Sequence, residues 1–323
     1  MATIKDVAEI AGVTVTTVSR VLNNRGYISD STREKVNAAM KELNYQPNEL
    51  ARSLFRKKSN IIGLIVPDVA HPFFAKLTSY IEAYAYAAGY KVLLCNSYQD
   101  ATKEKDYVEM LKGNQVDGII MGSHTLETSD YLTPTLPIVA IDRDFSNNIP
   151  FITSDNYAGG LIATNLLLDK GCKKLAHISG PLELSTPANK RYEAFMNTVL
   201  ERKAQYVVEQ AKLDVYESYK KLARKIFHKH PDIDGVFASS DMIAAAMMQV
   251  SQELGKEVPR DIKVIGYDDV EVASLMAIPL TTIKQPIDEM AQLAIKLLLD
   301  QMEGKKVTVE NVLPVKLIER KST

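Results

Sequence analysis

Cysteine is nearly missing from this 323-residue chain: Cys95 and Cys172 lie far apart and form no CxxC pair. That argues against a disulfide framework and against a cysteine zinc site, and makes a reducing cytoplasm the expected setting. Long apolar runs are missing as well. Nothing approaches the roughly 18 uninterrupted apolar residues of a membrane span. The opening MATIKDVAEIAGV places acids within its first ten residues, unlike a secretory leader. Secretion and membrane insertion are therefore not expected. There is no GxSxG, no Walker loop and no HExxH, and His228 and His230, two apart near a helix end, do not have metal-ligand spacing. No metal, cofactor or catalytic residue is expected. What remains is ordinary for a globular protein, 46% apolar and 24% charged, with length for two or three packing units.

The net charge of −1 hides a division. Residues 1–60 hold ten Lys/Arg against six Asp/Glu, net +4, and the other 263 hold 29 against 34, net −5. A basic head on an acidic body suggests that the head meets a polyanion. The head reads as three short helices. Thr3 caps the first, with Asp6 near its positive end, and Gly12 ends it. Val15 to Asn23 forms the second, with Val15, Val18 and Leu22 on one apolar face. Ser31 and Glu34 form a capping box for the third, which runs to Leu43 and buries Val36, Ala39, Met40 and Leu43. Helix, tight turn, helix is the DNA-reading pattern. Thr14, Val15 and Thr16 then stand at the N-terminus of the reading helix, with Arg20 suited to guanine or phosphate and Val15 to a thymine methyl. Thr3, Ser19, Asn23, Ser29, Thr32 and Tyr45 are donors suited to phosphate. After Pro47 and Asn48, the stretch Glu49 to Phe55 is too short to be a stable helix alone.

From Ile61 the character changes. Apolar runs at 61–66, 91–95, 117–121, 137–141, 174–179, 234–239 and 262–267 alternate with helical stretches such as Phe74 to Ala88, Tyr157 to Lys170, Met242 to Leu254 and Ile287 to Met302. That alternation predicts an α/β body of two doubly wound parallel-sheet subdomains, because roughly ten βα units exceed one open sheet. A ligand would bind at strand C-termini, in the crevice between them.

The runs TIKDVAEIAGVTVTTVSRVLN and STREKVNAAMKELNYQPNELARSL resemble the DNA-binding head of the LacI/GalR family, and DVAHPFF, QVDGII, VAIDR, SDNYAGG, SSDMIAA, VIGYDD and PLTTIKQP extend the resemblance along the body. It implies a homodimeric repressor of double-stranded operator DNA, with residues 1–58 as helix-turn-helix domain and hinge (hinge about 48–58). Residues 59–323 would be an effector-binding and dimerisation domain of periplasmic-binding-protein type. Asn48 and Leu54 match hinge positions, and the resemblance implies that Leu54 wedges into the minor groove of a kinked operator; packing under the body is its alternative. In the body, Asp142, Ser240 and Asp268 follow strand ends and Arg191 lies early in a helix. Carboxylates that accept from hydroxyls, with a forked donor, suit a polyhydroxylated effector, and Phe73 and Phe74 offer an apolar wall. Each matches an effector-binding position of the family.

Asp241 reads as a helix N-cap, as does Asp155; Asp142 has an internal pairing with Arg143 as its alternative role. His71 and Ser240 stand where the family more often has Asn. NNRGYIS, QVDGIIMGSH and the STPANKR segment most resemble the members that control sucrose genes in Gram-positive bacteria. A fructose-containing sugar, or its phosphate if Arg191 and Lys190 offset the carboxylates, is implied as inducer. No heptad follows the last strand, so a tetramer through a C-terminal helix is not expected. The alternatives are a catabolite regulator using a phosphorylated carrier protein as corepressor, a sugar-transport binding protein, and a sugar-processing enzyme.

Overall fold

The computed structural model describes residues 2–46, 58–98, 100–123, 136–145, 148–183, 185–212 and 216–323. Two compact units make up the chain, Met1–Asn60 and Ile61–Thr323. The hinge expectations at Asn48 and Leu54 lie outside the described residues.

The first unit has α1 (Ile4–Ala11), α2 (Val15–Asn23) and α3 (Asp30–Glu42). Thr3 and Asp6 close a reciprocal capping box on α1, and Gly12 ends it in the left-handed region, φ 66°. Thr14 caps α2 through the Thr17 N–H. Two expectations change. Ser29, not Ser31, caps α3, accepting from the Thr32 N–H; the cap falls there because Asp30 already has helical geometry with its acid in the first turn. On α2 the core takes Val18 and Val21, Leu22 is half-buried, and Val15 is 40% exposed. Val15 is the first residue of the helix. Val7, Val18 and Val36 are fully buried, each contributing about 1.5–3 kcal/mol by transfer from water.

The second unit carries two six-stranded sheets. The first has order β11-β5-β4-β3-β1-β2, with β1 Ile61–Val66, β2 Lys91–Asn96, β3 Gly118–Met121, β4 Ile138–Ile141, β5 Phe151–Ser154 and β11 Glu310–Leu313. The second has order β12-β10-β9-β8-β6-β7, with β6 Lys174–Ser179, β7 Gln205–Gln210, β8 Gly235–Ala238, β9 Lys263–Asp268, β10 Thr281–Lys284 and β12 Lys316–Ile318. All pairings are parallel except β12, which runs antiparallel to β10. Corresponding strands thus occupy corresponding places in the two lobes.

Helices cover both faces of each sheet. In lobe 1, α4 (Pro72–Ala87) and α11 (Ile287–Met302) pack on one face, and α5 (Ala101–Gly113) on the other. In lobe 2, α6 (Asn156–Asp169) and α7 (Lys190–Glu201) lie on one face, α8 (Tyr216–Lys229) and α9 (Asp241–Glu253) on the other. A short α10 (Glu271–Leu275) follows β9. Covering on both faces is why the strands read as continuous apolar runs. The chain crosses between lobes three times, at 154–156, 284–287 and 313–316. No described helix is long and apolar enough to cross a membrane.

Candidate functional site

Between the C-terminal strand ends of the two lobes lies a cavity of about 250 Å³. Its wall contains all six effector positions expected from the sequence: Phe73, Phe74, Asp142, Arg191, Ser240 and Asp268. Asp142 follows β4 and Asp268 ends β9, the same position in each sheet. Both backbones enter the left-handed region, φ 53° and 113°. Aspartate tolerates the first readily; the second lies in a sparsely populated region that costs about 1–3 kcal/mol and is held by its surroundings.

Each carboxylate accepts from a residue in or just before the next crossing segment. Thr153 Oγ1 donates to Asp142 Oδ1 at 2.7 Å, and Gln285 Nε2 donates to Asp268 Oδ1 at 2.7 Å. A hydrogen-bonded path joins them to the arginine. Arg191 Nε donates to Asn156 Oδ1 at 2.6 Å, and Asn156 Nδ2 donates to Thr153 Oγ1 at 3.0 Å. Ser154 Oγ donates to Gln285 Oε1 at 2.8 Å. Arg191 also donates through a terminal nitrogen to the Ser239 carbonyl at 2.8 Å and lies 3.6 Å above the Tyr267 ring. The helix carrying Arg191, α7, packs this close to α6 because Gly160 has no side chain: a Cβ there would lie 2.7 Å from the Arg191 carbonyl oxygen.

The electrostatics follow from burial. Burial pushes the Asp268 carboxyl up to about 7, with Arg191 and the Gln285 hydrogen bond pulling the other way. Asp142 is raised by burial against the pull of Arg191 and Thr153. Asp241 is raised well above the usual range by burial and by the Asp268 charge. The imidazoles go down: burial lowers both His71 and His177 to about 4, so both are neutral near pH 7. His177 Nδ1 lies 2.9 Å from the Phe237 carbonyl; that oxygen only accepts, so Nδ1 carries the proton and Nε2 is an acceptor. His177 Nε2, both ring nitrogens of His71 and Ser179 Oγ are buried without a hydrogen-bond partner, and all three residues border the cavity. Buried polar atoms are rarely left so.

Several sequence expectations need correcting. Ser240, not Asp241, caps α9, accepting from the Ile243 N–H. Asp241 is instead fully buried, accepting from the Val270 N–H at 2.9 Å and the Thr282 hydroxyl at 2.5 Å. Arg143 turns away from Asp142 to Glu104, 3.7 Å off, and donates to the Ser123 carbonyl at 3.0 Å; Ser123 in turn donates to Glu104. Lys190 is exposed and not on the cavity wall; the lysine that borders it is Lys212. His71 packs edge-on to Phe74, ring centres 5.7 Å apart. Sequence reasoning missed Asn156, His177 and Gln285 as site residues. The available signals were a histidine inside the buried strand KLAHIS and the polar residues that begin each crossing segment.

On the head, Thr14, Val15, Thr16 and Arg20 are exposed along one side of α2. Thr16, Ser19, Arg20 and Asn23 line a shallow depression with Arg25 and Gly26. Asn23 Nδ2 donates to the Ser19 carbonyl at 2.9 Å. Thr3, Ser29 and Thr32 have hydroxyls engaged in the caps, Ser29 and Thr32 with each other at 2.8 Å. Tyr45 is half-buried against the head core.

Comparison with known proteins agrees along the whole length. Residues 3–48 match the model of bacterial regulatory proteins of the lacI family, and residues 164–323 match the periplasmic binding protein-like domain. The ribose operon repressor of Halalkalibacterium halodurans is 42% identical, covering 100% of this chain and 97% of that protein. The sucrose operon repressor of Pediococcus pentosaceus is 42% identical over 98% of each. The solved lac repressor dimer, bound to operator and the anti-inducer ONPF, superimposes with a TM-score of 0.89 at 30% identity, covering 99% of this chain and 98% of that one. These relatives are repressors rather than enzymes, and a helical head followed by a two-lobed α/β body is what they share with this protein: the chain belongs to the lacI family of DNA-binding transcriptional repressors.

Proposed function

We propose that this protein is a homodimeric repressor of sugar-utilisation genes, released from its operator by a small sugar held between the two lobes of its body. The observation that carries the reading is the cavity wall: paired carboxylates from opposite lobes, a forked donor, an apolar face from Phe73 and Phe74, and unpartnered neutral polar atoms. Polyols need that combination. The α2 surface from Thr14 to Arg20 reads base edges, while Thr3, Ser19, Asn23, Ser29, Thr32 and Tyr45 sit toward phosphates. Asn48 and Leu54 serve the hinge, with Leu54 as the minor-groove wedge.

The dimer reading is supported by β2, an edge strand whose adjacent Leu93 and Leu94 are 36% and 43% exposed; an uncovered apolar edge invites a second copy. The gene target is sucrose utilisation or ribose utilisation, with relatives of each kind equally similar. A cavity of about 250 Å³ lies below the ~300–1,000 Å³ of drug-sized ligand sites. That favours a single sugar ring such as fructose or ribose as the inducer over the intact disaccharide. Closure of the lobes on the sugar would alter the dimer seam that positions the hinges. A coupling of about 1–3 kcal/mol changes operator affinity roughly 5- to 150-fold.

A gel shift on the promoter beside the gene, titrated with sucrose, fructose and ribose, tests the reading. Release by one of the sugars is expected. Operator binding that no sugar alters, but that a phosphorylated carrier protein strengthens, would replace it with the catabolite-regulator alternative.

A further inference from the structure

We propose that His177 is a specificity residue of the cleft: its Nε2 accepts from one hydroxyl of the bound sugar, so that the protein distinguishes sugars that differ at that single position. The inference rests on the sugar-responsive reading above and adds to it a residue buried inside lobe 2.

The two lobes differ at this place. β1 and β6 hold the same position in their sheets, and their registers agree: Ile62 pairs with Gly118 of β3, and Leu175 with Gly235 of β8. Leu64 and Val66 of lobe 1 therefore correspond to His177 and Ser179 of lobe 2. Leu64 and Val66 are fully buried in an apolar core, as expected of a strand covered on both faces. His177 and Ser179 are just as buried, at 0% and 3% exposure, yet bring an imidazole and a hydroxyl. Residues two apart on a strand face the same way, and both of these border the cavity. A polar pair in the middle of a sheet is costly unless something satisfies it.

The ring is held in one orientation. It stacks on Phe237 and Phe195, ring centres 4.7 and 5.0 Å away, and Nδ1 donates to the Phe237 carbonyl at 2.9 Å. Burial keeps the imidazole neutral near pH 7, and that bond uses its single proton. Nε2 is left as a fixed lone pair. Neither Nε2 nor Ser179 Oγ has a hydrogen-bond partner among the described residues, so the two do not satisfy each other. A sugar hydroxyl supplies the missing donor. An analogue without that hydroxyl leaves the nitrogen buried and bare, which is how a polar site rejects a ligand that lacks one group.

Calorimetric titration of the full-length protein with ribose, fructose and the monodeoxy analogues of each tests the proposal. On wild type, loss of one particular hydroxyl should weaken binding roughly 10- to 100-fold. His177→Phe keeps an aromatic ring against Phe195 and Phe237 but has no nitrogen; in it the parent sugar should weaken to about the level of that analogue, and the penalty for the hydroxyl should fall below roughly threefold. General damage to the fold would weaken parent and analogues alike and preserve the pattern of penalties. That outcome overturns the proposal, as does a wild type indifferent to every deletion, and both leave the sugar-responsive reading standing. If the variant does not fold, spectra of wild type carrying nitrogen-labelled histidine decide: the His177 Nε2 resonance should move upfield on adding the sugar, as an imidazole nitrogen does when it accepts a hydrogen bond, and a resonance that stays in place overturns the proposal. Binding of no sugar overturns the sugar-responsive reading itself, and this inference with it.

Discussion

Asp268→Asn should make the protein more stable, and increasingly so as pH rises. The folded environment lifts this carboxyl from 3.8 to about 7. Between those values the native state holds a proton that the unfolded chain has released, so raising the pH favours unfolding. The contribution of the group is fully present below about pH 4 and is lost as pH passes 7. At about 1.4 kcal/mol per pH unit, the ionised carboxylate costs the native state about 4 kcal/mol by pH 8, but only about 1.5 kcal/mol at pH 5. Asparagine keeps an oxygen to accept from Gln285 Nε2 and never ionises. Asp142 and Asp241 are raised as well; removing the Asp268 charge also relieves Asp241, so the advantage of the variant at high pH includes that relief. Urea unfolding at pH 5 and pH 8, read by circular dichroism, measures it. The advantage of the variant should grow by about 2–3 kcal/mol across that interval. A difference that stays constant with pH, or a wild type more stable at pH 8, would refute the assignment of a burial-raised carboxyl at this position.

Three further outcomes follow. Arg191→Ala removes the donor to Asn156 Oδ1 and the Ser239 carbonyl; leaving such buried acceptors open costs about 1–3 kcal/mol each. Sugar should no longer release the operator in a gel shift, and a variant that remains fully inducible would take Arg191 out of the site. Gly160→Ala would put a methyl 2.8 Å from the Ala194 side chain and 2.7 Å from the Arg191 carbonyl oxygen. Separating α6 from α7 should cost about 1–3 kcal/mol and weaken sugar binding, which thermal melts and calorimetry would report together. Leu54→Ala should weaken operator binding while sugar affinity is unchanged; equal operator affinity would remove the wedge role.

The parts of this protein that were legible from the sequence are those with local causes. Thr3 with Asp6, and Gly12 after α1, announce a helix and its end because cap chemistry needs only neighbours in sequence. Apolar runs such as IIGLIV announce strands buried on both faces. The strands β5, β7, β10, β11 and β12 were harder to see. β7, β11 and β12 are half-exposed, and nothing local says that Glu310–Leu313 pairs with Phe151–Ser154. The same contrast holds at the cleft. Asp142, Asp268 and Arg191 were found because ionisable groups at strand and helix ends are conspicuous. Asn156 and Gln285 were not, because their role is fixed by partners 35 and 17 residues away. Which of Ser240 and Asp241 caps α9 was decided by tertiary contacts, since Thr282 and the Val270 N–H claim the aspartate.

The three crossings impose an order on the making of the protein. Lobe 1 is interrupted: its face of Ile62, Leu64, Leu77 and Ile81 is sealed by Met290, Ala291, Ala294 and Ile295 of α11, which leave the ribosome after nearly all of lobe 2. The head draws its core from within its first 45 residues and can form early, whereas both lobes wait on the end of the chain, lobe 1 for α11 and β11 and lobe 2 for β12. A product terminated before α11 would keep a finished reading head on a body with an open apolar flank, exposed to chaperones, proteases or aggregation.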